Sequence, residues 1–583
     1  KLKTSCLPWC EILTKDNLYL DRFINLESDQ FLAALINIEY SRNNAEVIIK
    51  RLKNHKFQVS GLSYTNYLLN EFSENIKTVI LPILFCSLYI LILLFIRNIL
   101  WSLITFIPAV ISLAVSLSII KLVENELTLL TSIIPLVVSV LSLSIMLHLV
   151  FSLELDSNSS RLIKGKIEPI LLTIVTTIIG FSTLVTSNLL AIRQFGVIAS
   201  VSVLACSLIT LVWFYCAFKL FFGPRAKLFE RNTNSLLVWW SKSLNYPLSL
   251  LLLVVFFIGG VFSIQHIPIV TDATLYFPTE LNVKHDANSI SKDVIGQPIL
   301  EIVIDKSSDN INLLHDISKI EKEILNIFSE DDTKIISSNI VVQEANFKYA
   351  NSRDIPRHFI SYATLLSKAP RFIREGYPLS KSYRITLLSR PINTDQYDII
   401  LREIRNIFNR EKVSYQFNGT YFHLMTAQKE MVKTLAKSFI FAVFIVSLLA
   451  YIYYRKTKIF IIFMVINIMP VVGSFIFSNL FNLSINISTV MTYSISFGLL
   501  VDNSFHIIHS IKNNLSGSDY TNSLVRPILC SGILIILSFL VFSVNPFLPI
   551  KEFGITLGII TSIGVIFDLK VLPHFISRIY LSS

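Results

Sequence analysis

The apolar residues of this chain fall into long runs, and eleven of these approach or exceed the roughly 20 residues a helix needs to cross a hydrocarbon core. The first five occupy 79–96, 99–121, 127–151, 168–187 and 195–222, and six more follow at 247–267, 435–454, 459–480, 485–509, 527–545 and 552–576. Polar breaks such as Arg97-Asn98 and Glu124-Asn125-Glu126 separate neighbouring runs. Lipid offers no partner for irregular backbone, so the two long polar stretches, 1–76 and 268–433, are predicted to fold in water.

Sliding the chain along itself gives an internal repeat at an offset of 358 residues with no slip in register. Gln58 and Gly61 then meet Gln416 and Gly419, Arg97 meets Arg455, Thr131 meets Thr489, His148 meets His506 and Pro169 meets Pro527. Ile192, Phe195 and Gly196 meet Ile550, Phe553 and Gly554. A chance overlay of apolar helices would match Leu to Ile, but not a His, a Pro and a Phe-Gly pair without gaps. The halves are a duplication, related as parallel repeats about an axis along the membrane normal. The second half holds one helix more than the first, so the pattern is expected to be eleven visible spans of a twelve-helix protein truncated at its N-terminus, the alternative being an eleven-helix protein with a half-sized first outer domain.

The predicted domains are 1–76, the C-terminal part of a first outer domain; 77–222, a bundle of five helices; and 223–246, a linker. They continue with 247–267, the opening helix of the second repeat; 268–433, a second outer domain; and 434–583, a second five-helix bundle. Within the second outer domain, 299–305 reads as a strand, 310–328 as a helix capped by Asp309, and 384–389, 394–408 and 413–417 as strand, helix, strand. Split β-α-β units of ferredoxin-like type fit that order, with Pro356, Pro370 and Pro378 punctuating short helices between them. A matching fragment is predicted at 31–60 of the first domain.

Composition strengthens the membrane reading. Apolar residues make up 52% of the 583 and charged residues 16%, against roughly 25% in soluble domains. The net charge of +11 needs no polyanionic partner, because Lys and Arg gather in one set of short loops. Arg97, Arg161, Lys164, Lys166, Arg225, Lys227, Arg231, Lys242, Arg455, Lys456, Lys458, Lys512, Arg526 and Arg578 share a side if every run crosses once. By the positive-inside rule that side is cytoplasmic, and both polar domains are extracytoplasmic. No basic run is interleaved with aromatics, which argues against nucleic acid. Walker A, HExxH and GxSxG patterns are absent, so the sequence supports no ATPase, zincin or serine hydrolase and points to no metal or cofactor site. Cys86, Cys206, Cys216 and Cys530 lie in apolar runs as small hydrophobes, while Cys6 and Cys10 are spaced to bridge one helical turn or to remain free thiols.

Ionisable residues inside a span are costly and read as functional by default. In the run 485–509, Asp502 and His506 lie four apart on one helical face, with Asn503 beside them and His509 one turn on. Asp568 is a second buried acid, placed by the run lengths near the cytoplasmic end of the last span. The first repeat has Ser144 opposite Asp502 and His148 opposite His506, so only one half supplies an acid, with Ser144 expected to donate a hydrogen bond across to it. A satisfied pair that only holds helices together is the alternative reading of Asp502 and His506.

The string Gly498-Leu499-Leu500-Val501-Asp502-Asn503-Ser504-Phe505-His506 resembles the GxxVDD..H pattern of the resistance-nodulation-division superfamily, in its MMPL, hopanoid-transporter and Patched-like, sterol-sensing-like branch. Arg526-Pro527 opening a helix, Glu552-Phe553-Gly554 opening the last, Asp568 with Pro573, and the strand Gly296–Asp305 are similar to that branch too. The second Asp of the pattern is Asn503 here, and Ser144 and Ile145 replace the pair in the first repeat. The resemblance implies a polytopic α-helical membrane protein with α+β outer porter domains, located in the inner membrane. It implies export of a hydrophobic or lipid-like substrate driven by protons, with Asp502 as carrier and Asn503, His506 and Asp568 in its relay. It implies no enzyme activity and no cofactor, and leaves room for a homo-oligomer or a periplasmic partner. A sterol-sensing-type receptor or assembly factor that binds lipid without pumping is the alternative.

Overall fold

The computed structural model describes residues 62–124, 130–152, 159–221, 235–270, 276–286, 297–305, 311–328, 333–352, 354–367, 382–389, 394–512 and 520–581, together with positions 49, 58–59, 128, 289 and 392. The Cys6 and Cys10 pairing, the β-α-β fragment at 31–60 and the Asp309 cap lie outside the described residues. By contacts the chain divides into a unit of Lys1–Tyr67 with Thr279–Ala427 and a unit of Leu68–Pro278 with Gln428–Ser583.

The first half of the membrane unit begins with α1 (Leu62–Asn75), which runs through a π-helical turn, Ile76–Ile80, into α2 (Leu81–Ile96). Then come α3 (Ile99–Glu124), α4 (Ile134–Ser152), α5 (Ser159–Ser182) and α6 (Leu190–Phe221). The short α7 (Ser235–Ser241) precedes α8 (Tyr246–Ile264), which Pro247 opens in the first turn, where its missing N–H costs nothing.

The other unit contains β1 (Gln297–Asp305), α9 (Ile311–Ile327), β2 (Thr333–Ser337), α10 (Ser338–Ala350), α11 (Phe359–Ser367), β3 (Ser382–Ser389), α12 (Thr394–Arg410) and β4 (Tyr415–Asn418). Its sheet order, β2-β3-β1-β4 with every pair antiparallel, is that of a ferredoxin-like split β-α-β fold. Tyr397, Leu401, Ile404 and Phe408 recur at helical spacing along α12 and are buried on the sheet. Strand β2, only five residues long, is one that the sequence pattern missed.

The second half of the membrane unit is α13 (Thr420–Tyr454), α14 (Thr457–Leu480), α15 (Ile487–Lys512), α16 (Arg526–Leu540) and α17 (Leu548–Ile566), which continues through a π turn, Phe567–Val571, into α18 (Leu572–Leu581). The duplication appears in local geometry. Arg97 and Arg455, 358 residues apart, both take left-handed conformations (φ 55° and 52°) that end one helix and turn the chain into the next. Single 3-10 turns at Thr183–Thr186 and Val541–Val544, and helix starts at Leu190 and Leu548, keep the same offset. Beside Gly196 lie the Phe181 carbonyl and Leu184, and beside Gly554 lie their counterparts, the Phe539 carbonyl and Phe542, with Phe553 stacked edge-on against both of those rings.

Among the described residues, ten helices are long and apolar enough to cross a membrane. The eleventh predicted run, 485–509, is helix α15, but its Ser, Thr, Asn, Asp and His content keeps it below that apolarity. It can afford this because nearly all of it is buried among other helices, as is its repeat counterpart α4. The chain is therefore a multi-pass membrane protein whose two most enclosed helices are the equivalent helices of the two halves.

Candidate ion-coupling site

Small residues let α15 lie against α5 of the other half. A Cβ on Gly180 would come within 3.2 Å of the Gly498 Cα, so the two glycines allow a backbone approach that larger residues would prevent. One turn further, the Thr177 hydroxyl donates to the Gly498 carbonyl at 3.3 Å. Another turn on, the Thr173 hydroxyl donates to Asp502 Oδ1 at 2.7 Å. Asp502 Oδ1 also lies 3.3 Å from His506 Nε2, the four-residue spacing placing both on one face.

His506 then meets the first half a second time. Its ring lies parallel to that of His148 on α4, with centroids 4.3 Å apart and planes within 3°. His148 Nε2 is in turn 3.4 Å from Ser531 Oγ on α16. Ser531 is the repeat counterpart of Thr173, so each half's inner helix is met by a hydroxyl from the other half's flanking helix. Asp502, His506 and His148 are all buried.

Two expectations need correction. Ser144 is buried, but its hydroxyl has no hydrogen-bond partner among the described residues; the donor to Asp502 is Thr173, because the helix that touches α15 at this level is α5. Asp568 is not remote from Asp502. The π turn Phe567–Val571 carries its carboxylate to Ser504, whose hydroxyl donates to Oδ1 at 2.6 Å. Asn467 Nδ2 of α14 donates to the same Ser504 hydroxyl at 3.1 Å. His509 instead faces the Tyr453 hydroxyl at 3.4 Å. Pro527 sits in the first turn of α16.

In the membrane unit, two buried charged groups among the described residues escaped the sequence reading as site residues. Glu552 at the start of α17 accepts from the Ser484 N–H at 2.9 Å, the Ser484 hydroxyl at 2.6 Å and the Asn486 side chain. It thereby holds the loop whose Ile485 pairs with Ile269. Lys570 donates to the Trp239 and Lys242 carbonyls and lies 3.8 Å over the Trp239 ring. Both fall near the ends of apolar runs, where a charge looks like an ordinary boundary.

His148, Asp502 and His506 place one donor atom each within 4.8 Å of one another. Parallel imidazoles, however, aim their in-plane lone pairs along parallel planes, so both rings cannot face one ion without one turning. The arrangement as it stands suits proton exchange: a carboxylate and an imidazole in contact, shielded from bulk water.

No protein-family model matches the chain, and no curated protein matches it. Solved structures do. The hedgehog release protein Disp from the water bear Hypsibius dujardini superposes with a TM-score of 0.64 at 11% identity, over 92% of this chain and 75% of that one. SecDF, a translocon-associated membrane protein from Thermus thermophilus, gives 0.54 at 12% identity over 88% of this chain and 63% of that one.

Proposed function

We propose, from the resistance-nodulation-division, Patched-like fold that this chain has, that it is a proton-driven transporter of hydrophobic or lipid-like molecules. The observation that carries the reading is the buried contact of Asp502 with His506, clasped by Thr173 of the other half. A carboxylate kept in a dry helix bundle is expensive, and a partner that can take its proton gives it a use. Neutralising Asp502 removes the charge that draws Thr173 and His506 together, which changes the contact between α5 and α15 and hence between the halves. Asp568, joined to the same turn of α15 through Ser504, is the second acid of the relay.

The Lys- and Arg-rich loops support an orientation in the cytoplasmic membrane with the ferredoxin-like unit outside. There it forms the substrate path, and the protein acts as a transporter and not as an enzyme. The test is proton flux into dye-loaded proteoliposomes under an imposed pH gradient, with a fluorescent phospholipid as trial cargo. Wild type is expected to couple the two; Asp502→Asn should abolish both while leaving the protein folded. Full proton flux in Asp502→Asn would overturn the reading.

A further inference from the structure

The offset of 358 residues makes His148 and His506 equivalent positions of the two halves, and the fold lays them face to face. Each has a polar partner, Asp502 for His506 and Ser531 for His148. The pseudo-symmetry axis of the duplicated helices therefore passes between the two stacked rings. We propose that His148 and His506 together form one proton site that straddles the two halves, taking up at most one proton beyond the neutral pair, so that either ring, and never both, is an imidazolium. This extends the proton-driven reading above by adding His148, from the half that lacks an acid, as a proton-carrying residue.

The argument rests on distance and surroundings. Two imidazolium ions stacked at 4.3 Å would repel by several times thermal energy in a water-poor interior, whereas an imidazolium against a neutral ring meets a polarisable π face. With Asp502 ionised, one cation on the pair leaves the cluster neutral, and a second would leave an uncompensated buried charge. Other ionisable groups on the surrounding elements include His509 and Lys512 on α15, Glu168 on α5, Asp568 behind Ser504, Cys530 on α16, Arg526 at the start of α16, which lies 4.9 Å over Phe151, and Cys206 on α6, whose thiol faces the Ser112 carbonyl. Asp502 lies 3.3 Å from a ring nitrogen of the pair. In-plane nitrogens of parallel rings do not face each other, so passage from one ring to the other needs a ring flip or an intervening water, either of which moves the charge from one half to the other.

The experiment counts imidazolium by 15N solid-state NMR on the full chain in liposomes, labelled at all 10 histidines, between pH 8 and pH 5. The shared site predicts that the wild type holds one imidazolium more at low pH than His148→Phe/His506→Phe, and the same number as either single variant. Loss of one imidazolium in each single variant would show two independent sites, and no loss in the double variant would show a pair neutral throughout; either overturns the proposal. If His148→Phe does not fold, His148→Gln keeps a polar contact for Ser531 and gives the same count. The count does not depend on transport: full flux in Asp502→Asn together with the expected count would remove the proton-driven reading and leave the shared site standing.

Discussion

Thr173 and Asp502 lie 329 residues apart, in different halves of a duplicated chain, and meet as hydroxyl and carboxylate at 2.7 Å. A hydrogen bond to a charged group contributes about 1.5–3 kcal/mol, more than a neutral one. Thr173→Val keeps the side-chain shape and removes the donor, so proton flux in proteoliposomes should fall roughly 10- to 100-fold by that energy. Thr173→Ser should keep most of it. Equal flux in Thr173→Val and wild type would mean that the contact plays no part in coupling.

Asp568 provides a second test at the same level of the bundle. Its carboxylate is held by Ser504, two residues after Asp502 in the chain. Asp568→Asn is expected to reduce flux strongly, and Ser504→Ala to reduce it less, by roughly 10-fold for one lost charged hydrogen bond. A Ser504→Ala/Asp568→Asn double variant no worse than Asp568→Asn alone would place both on one path. Simple additivity of the two effects would separate them.

These relationships mark how far the sequence could be read. Apolar run length located the helices, and the repeat found without a structure reappears as matched turns at Arg97 and Arg455. Spacing alone paired Asp502 with His506, because four residues on a helix define a face. It could not show that Thr173 rather than Ser144 faces Asp502, since which helix of the other half lies alongside α15 depends on the Gly180–Gly498 approach. Nor could it aim Asp568, because a π turn shifts side-chain directions relative to a regular helix and leaves no mark in hydropathy. Glu552 and Lys570 were hidden for a related reason: a charge near a run's end looks the same whether it faces solvent or is buried.

The repeat-equivalent glycines differ in how tightly they are enclosed. A Cβ on Gly554 would lie 2.3 Å from the Phe539 carbonyl oxygen, and one on Gly196 would lie 2.9 Å from that of Phe181. Both obstacles are backbone and cannot rotate away. Gly554→Ala should therefore destabilise the bundle more than Gly196→Ala, with overpacking costs of about 1–3 kcal/mol. Thermal unfolding in detergent would rank them, and the reverse order would contradict the packing described here.

Outside the membrane spans, Glu430 on α13 accepts from Lys433 at 2.8 Å and from Asn188 at 2.7 Å. These contacts, that of Lys433 first, hold its carboxylate below the usual range. A group lowered on folding stabilises the folded form above its ordinary range, and that contribution is lost as pH falls through the lowered value. The contact between the first-half loop at Asn188 and α13 should thus weaken only on acidification below the usual carboxylate range. Glu430→Gln should remove that part of the pH dependence of the unfolding temperature, and an unchanged profile would rule the contact out as its source.

Lys570 joins the last helix to the segment between the two halves. From the π turn that also carries Asp568, its ammonium donates to the carbonyls of Trp239 and Lys242 at the end of α7, and its own carbonyl accepts the Leu244 N–H at 2.9 Å. A cation at a helix C-terminus meets the negative end of the dipole, and here it also covers the faces of Trp239 and Trp240, at 3.8 and 5.3 Å. Lys570→Met keeps the apolar stem and removes every one of these polar contacts except the backbone one. In a variant with Trp9, Trp101, Trp213 and Trp240 replaced by Phe, Trp239, already 59% exposed, should then become more open to quenching by acrylamide. Because Asp568 lies two residues away on the same turn, Asp568→Asn should raise the quenching in the same direction but by less, the ammonium contacts being intact. Quenching unaffected by Lys570→Met would mean that α7 is held in place by its apolar side chains alone.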